Sequence, residues 1–120
     1  MNLIKSIKSF RYAINGLRLV LKENNFRIHL LAVAAVAGAG TYFNLSRSEW
    51  LWLLSAICIV VVAECMNTAI EKLTDLVSPG YNKQAGEVKD LAAGAVLLSS
   101  VFAVITGGII FIPKVADLIR

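Results

Sequence analysis

Little in this 120-residue sequence offers a home to soft metals or thiol chemistry. It has two cysteines, Cys58 and Cys65, and one histidine, His29. There is no CxxC and no Cys/His spacing, which excludes a structural zinc site. The cysteines stand seven residues apart inside one apolar run. On a helix that puts them two turns apart, too far to bridge each other, so they read as packing residues. The sequence has no Gly-x-x-x-x-Gly-Lys-[Ser/Thr] and no His-Arg-Asp, so neither the P-loop nor the protein-kinase pattern is present. No internal repeat and no low-complexity segment occurs. Met1 to Lys22 lacks an apolar h-region and a small-residue cleavage site, so the first apolar run is expected to be retained.

What is abundant is apolar. Such residues make up 58% of the chain, against about 45–50% in soluble domains. They collect in three long runs, each bounded by charge. The length suits one domain, and a chain this small cannot cover three such runs with its own polar surface. The bilayer is their natural solvent. The net charge of +4 flanks the runs, as membrane-orienting charges do. No nucleic-acid partner is expected.

Along the chain, Leu3, Ile7, Phe10, Ile14, Leu17 and Leu21 recur every three or four positions, with Lys5, Lys8, Arg11, Asn15, Arg18 and Lys22 opposite. This pattern predicts an amphipathic basic helix over 1–25, flat on an anionic membrane surface. A first span is expected over 26–43, rich in Ala and Gly. A turn follows at Asn44 to Ser48. The second span is expected over 50–68, its helical pattern continuing to about Val77, where Ser78-Pro79-Gly80 breaks it. A polar loop is expected from Tyr81 to Lys89, with Asp90 capping the third span, 91–112, and Pro113 near its end. Trp50 and Trp52 read as interfacial belt anchors. The expected fold is an all-α membrane protein, one surface helix followed by three transmembrane helices.

Orientation follows from Lys and Arg. Six lie between the N-terminus and Arg27, and Lys72, Lys83 and Lys89 lie around the second loop; only Arg47, Lys114 and Arg120 lie on the other side. Nine against three places the N-terminus and the second loop in the cytosol.

Glu64 interrupts the second apolar run about 21 Å along the helix from Trp50. A hydrocarbon core is about 30 Å thick, so Glu64 lies within it, towards the cytosolic side. An ionisable group there costs roughly 2.5–3.5 kcal/mol or more, which marks it as functional by default. Glu64, Asn67, Glu71 and Asp75 are spaced 3, 4 and 4 apart. That spacing makes one polar stripe from membrane interior to cytosol. It suits phosphoryl transfer between a lipid and a soluble nucleotide. Glu64 would take a hydroxyl proton, carboxylates nearer the water would hold Mg²⁺ on ATP phosphates, and Lys89 would neutralise phosphate charge. The same spacing also suits polar glue between spans, or a proton or ion pathway.

The stretch Glu64-Cys65-Met66-Asn67-Thr68-Ala69-Ile70-Glu71, then Asp75, then Val88-Lys89-Asp90-Leu91-Ala92-Ala93-Gly94-Ala95-Val96 resembles the prokaryotic diacylglycerol kinase family. The resemblance covers nearly the whole chain. It implies a lipid kinase that uses MgATP and assembles as a homotrimer in the bacterial inner membrane, with sites shared between neighbours. By resemblance, Glu64 is the catalytic base. Glu71 and Glu23, the latter placed by counting back from Phe26, are Mg²⁺ ligands that also serve the nucleotide. Asn67 and Asp75 are further active-site positions. Tyr12, Gly80, Tyr81, Asn82, Lys89 and Asp90 are nucleotide-contacting positions. Ala92, Ala93, Gly94 and Ala95 fit close helix approach or intrachain packing. The expected acceptor is diacylglycerol. Phe26-Arg27-Ile28-His29 resembles the branch that includes undecaprenol kinases, the alternative acceptor. His29 itself reads as a satisfied interfacial histidine rather than a catalytic group. A reading of another class is a small non-enzymatic channel or proton conductor.

Overall fold

The computed structural model describes residues 2–120; Met1, which belongs to the expected surface helix, lies outside them. Among the described residues four helices follow one another: α1 (Leu3–Val20), α2 (Asn24–Tyr42), α3 (Arg47–Val77) and α4 (Lys83–Leu118).

The ends of the helices are written in local chemistry. Asn2 caps α1, its side chain accepting from the Ile4 and Lys5 amides. Ser46 and Glu49 form a reciprocal capping box at the start of α3. Before it, Asn44 takes a positive φ of 52°, a conformation asparagine tolerates better than most residues.

The second loop is shorter than expected. α4 begins at Lys83, because the Asn82 side chain accepts from the Ala85 amide and caps it there. Asp90 therefore lies inside α4 and caps nothing. The helix also runs through Pro113 to Leu118. Pro113 sits in the final turns, where its missing N–H forfeits one hydrogen bond and does not end the helix.

α3 and α4 pack as an antiparallel hairpin with an ion pair at each end. Glu49 and Lys114 meet at 3.2 Å at one end, and Asp75 pairs with Lys89 at the other. The two acids lie about 39 Å apart along α3 at the α-helical rise. Leu45, Leu53 and Ile110 form the small core, with Val36, Phe43, Trp50, Ile57 and Phe111 against it. It sits at the Glu49 end. There α2 closes on α3 through Gly40, where an added Cβ would lie 2.6 Å from the Trp50 ring. Trp50 thus packs against α2 and is half-buried; Trp52 is exposed.

Much of the remaining surface of α3 and α4 is apolar. Leu98, Val104, Ile109 and Ile112 are each about 70% exposed, and Leu3, Ile7 and Phe10 on α1 are 62–70% exposed. Contiguous apolar surface of this extent needs lipid or protein to cover it. α3 and α4 are each long and apolar enough to cross a membrane. The first turns of α2 carry Asn24, Asn25, Arg27 and His29, which lower its hydropathy.

Candidate active site

The polar stripe of α3 faces its neighbours rather than open surface. Glu64 is 5% exposed, Asn67 and Glu71 are half-buried, and Asp75 is open. Exposure thus rises step by step along the helix. Each member has a partner of its own.

Glu64 meets α2. The His29 Nε2 lies 2.7 Å from Glu64 Oε1, so the ring N–H donates to the carboxylate. His29 is satisfied, as the sequence predicts, but its partner is the candidate base itself. Glu23 caps the N-terminus of α2 six residues earlier, without a side-chain cap bond. Six residues of helix rise about 9 Å, which fixes the depth of Glu64 below the α1–α2 corner. That corner is held by the buried Val20 and Phe26 and by the Arg27 guanidinium, which donates to the Leu21 carbonyl at 2.8 Å.

Asn67 and Glu71 form the next step. The Asn67 amide donates to Glu71 Oε1 at 3.2 Å. Among the described residues, its carbonyl oxygen is buried with no partner. An orphaned buried acceptor beside a carboxylate is a place where an electropositive group is missing. Oxygen donors of this kind fit a hard cation such as Mg²⁺. No cluster of three or more His, Cys, Asp or Glu able to hold a metal occurs among the described residues.

Asp75 and Lys89 make the outermost step, joining α3 to α4 with side chains 64% and 40% exposed. Beyond them the other expected nucleotide contacts are spread out. Gly80 and Tyr81 lie in the exposed loop, Tyr81 fully so. The Asn82 oxygen is committed to its cap. Asp90 is exposed on α4, and Tyr12 is 68% exposed on α1. The chain gathers Glu64, Asn67, Glu71, Asp75 and Lys89 along one hairpin and leaves Tyr12 and Tyr81 uncovered.

The His29 contact is what residue spacing missed. Its signal was present: a lone imidazole two turns into an apolar helix and a lone carboxylate in the next are each costly without a partner.

Residues 11–111 match the family model described as prokaryotic diacylglycerol kinase. The chain belongs to that family. The match takes in every candidate residue of the site, from Tyr12 to Asp90. A diacylglycerol kinase of Synechocystis sp. is 39% identical over 92% of this chain and 64% of its own length. The chain thus spans just under two thirds of that relative. An undecaprenol kinase of Bacillus subtilis is 38% identical over 89% of this chain and 88% of its own length. A diacylglycerol kinase of Escherichia coli K12 is 31% identical over 83% of each. In this member of the diacylglycerol kinase family, the carboxylate stripe lies along α3 of the α3–α4 hairpin.

Proposed function

We propose that this chain is a membrane lipid kinase that transfers the γ-phosphate of MgATP to a lipid hydroxyl, converting diacylglycerol to phosphatidic acid. The observation that carries the reading is Glu64. It is a buried carboxylate about 9 Å below the surface-helix corner, at the head of a stripe that opens outward to Lys89.

A lipid hydroxyl resides just under the headgroups, at the level of Glu64. The hydroxyl gives its proton to the Glu64 carboxylate as its oxygen attacks the γ-phosphorus. The bond between that phosphorus and the β–γ bridging oxygen breaks, and its electron pair leaves on ADP. General-base help of this kind is worth about 10²–10⁴-fold; the rest of the rate comes from positioning and charge neutralisation. Lys89 supplies positive charge on the cytosolic side, where an incoming triphosphate competes with Asp75 for it. Glu71, Asn67 and Glu23 would hold Mg²⁺, which when bound neutralises charge on the β- and γ-phosphates.

The membrane frame follows. α2, α3 and α4 cross the bacterial inner membrane and α1 lies on its cytosolic face, with the N-terminus and the second loop in the cytosol. The 19 residues of α2 span about 28 Å, close to a hydrocarbon core of about 30 Å. A homotrimer covers the bare apolar faces of α3 and α4 and brings a neighbour to the open ends of the site.

A second acceptor, undecaprenol, is favoured by one observation. A relative 38% identical to this chain over 88% of its own length is an undecaprenol kinase. The test is labelled phosphate transfer from ATP to a panel of membrane alcohols in mixed micelles, using purified protein. Transfer to diacylglycerol above undecaprenol is the expected result; the reverse order reassigns the acceptor. No MgATP-dependent transfer to any alcohol leaves the channel or proton-conductor reading, which a conductance measurement then decides.

A further inference from the structure

We infer that His29 is a positioning residue for phosphoryl transfer, holding the Glu64 carboxylate in the plane from which it takes the hydroxyl proton. The inference rests on the general-base reading of Glu64.

The terminal torsion of a glutamate is broad, so an unpartnered carboxylate does not present one oxygen in one direction. In this protein the His29 Nε2–H donates to Oε1 at 2.7 Å. The second oxygen is left as the acceptor. The two side chains differ in access: that of Glu64 is 7% exposed and that of His29 27%. His29 also lines an open groove of about 310 Å³ between α2 and the α3–α4 hairpin. Its remaining lining is almost wholly apolar, Leu53, Ala56, Val60 and Val104 among it. Among the described residues, no other charged or imidazole side chain lines that groove. His29 is the partner the structure gives the buried Glu64 carboxylate. The link is also the polar tie between α2 and α3, whose packing otherwise concentrates at the Gly40–Trp50 end.

A misplacement of about 1 Å costs about 100-fold in rate. His29→Leu removes the donor, and His29→Gln places an amide nitrogen near the position of Nε2. His29→Asn carries the same amide too short to reach. Kinetics on purified protein, with helix content and assembly measured alongside, test the role. His29→Leu is expected to lose about 10–100-fold in kcat with both KM values near wild type, and His29→Gln to recover most of it. Three results overturn the role: wild-type kcat in His29→Leu, a loss that falls on KM alone, or equal kcat in the Leu and Gln variants. If His29→Leu does not fold, the comparison passes to Gln and Asn. Gln above Asn supports the role and equality overturns it. The same assay separates the two levels. A wild type without transfer, or a fully active Glu64→Gln, removes the general-base reading. An active wild type and a dead Glu64→Gln, with His29→Leu unimpaired, removes the role of His29 alone.

Discussion

Lys89, near the start of α4, closes onto Asp75, two residues before the end of α3. The pair ties the two long helices together at the loop end of the hairpin and sets a cation at the outer end of the carboxylate stripe. Both side chains are well exposed, so the pair adds at most about 1 kcal/mol to stability. Its value is in placement. Lys89→Met is expected to raise the KM for ATP at least about tenfold, the loss of one charge-assisted phosphate contact, while thermal unfolding in detergent stays close to wild type. An unchanged KM for ATP takes Lys89 out of the nucleotide site.

Glu64→Gln keeps the shape of the side chain and removes its basicity. Turnover should fall by about 10²–10⁴-fold, while size-exclusion chromatography shows the assembly of the wild type. Near-normal turnover in a folded Glu64→Gln protein is incompatible with the proton-acceptor role.

Glu71 and Asn67 frame the unpartnered buried oxygen. Activity should vanish in EDTA and return on adding Mg²⁺. Glu71→Gln should move the Mg²⁺ concentration needed for half-maximal rate upward by about 10–100-fold, as removal of a metal-site group does. A Mg²⁺ titration of the two proteins reads this directly; superimposable curves assign the metal to other residues.

Gly40 is a matter of packing alone. A Cβ there would stand 2.6 Å from the Trp50 ring, which is rigid and half-buried. Gly40→Ala should destabilise the protein by about 1–3 kcal/mol, read as a lower unfolding midpoint in detergent. Turnover per folded molecule should be unchanged, because Gly40 lies eleven residues along α2 from His29. A midpoint equal to wild type means that α2 shifts away from the hairpin at no cost.

Orientation is open to labelling. With Cys58 and Cys65 replaced by alanine, Tyr81→Cys should react with a membrane-impermeant thiol reagent from the cytosolic side and Ser46→Cys from the other. Both sites are exposed loop positions. Reaction of both from the same side contradicts a crossing by α3.

Helix boundaries were legible in the chain because they are local: Ser78-Pro79-Gly80 stops α3, and the apolar runs mark the helices. The second loop was misread because Asp90 looks like a cap as much as Asn82 does. Asn82 is the one used, its side chain accepting from the Ala85 amide. The contacts of Trp50 and His29 were likewise hidden, since each is decided by a residue on another helix.

Periodicity and charge in the sequence, acting through helix geometry and the hydrophobic effect, determined by themselves the all-helical fold and the polar stripe on α3. Only the tertiary structure decided what those groups touch: Glu64 with His29, Asp75 with Lys89, Gly40 with Trp50. The reason is physical. A repeat of three or four residues fixes which face of a helix a side chain occupies, but a contact between helices depends on their relative shift and rotation. Those are set by packing summed over many residues that no single spacing records.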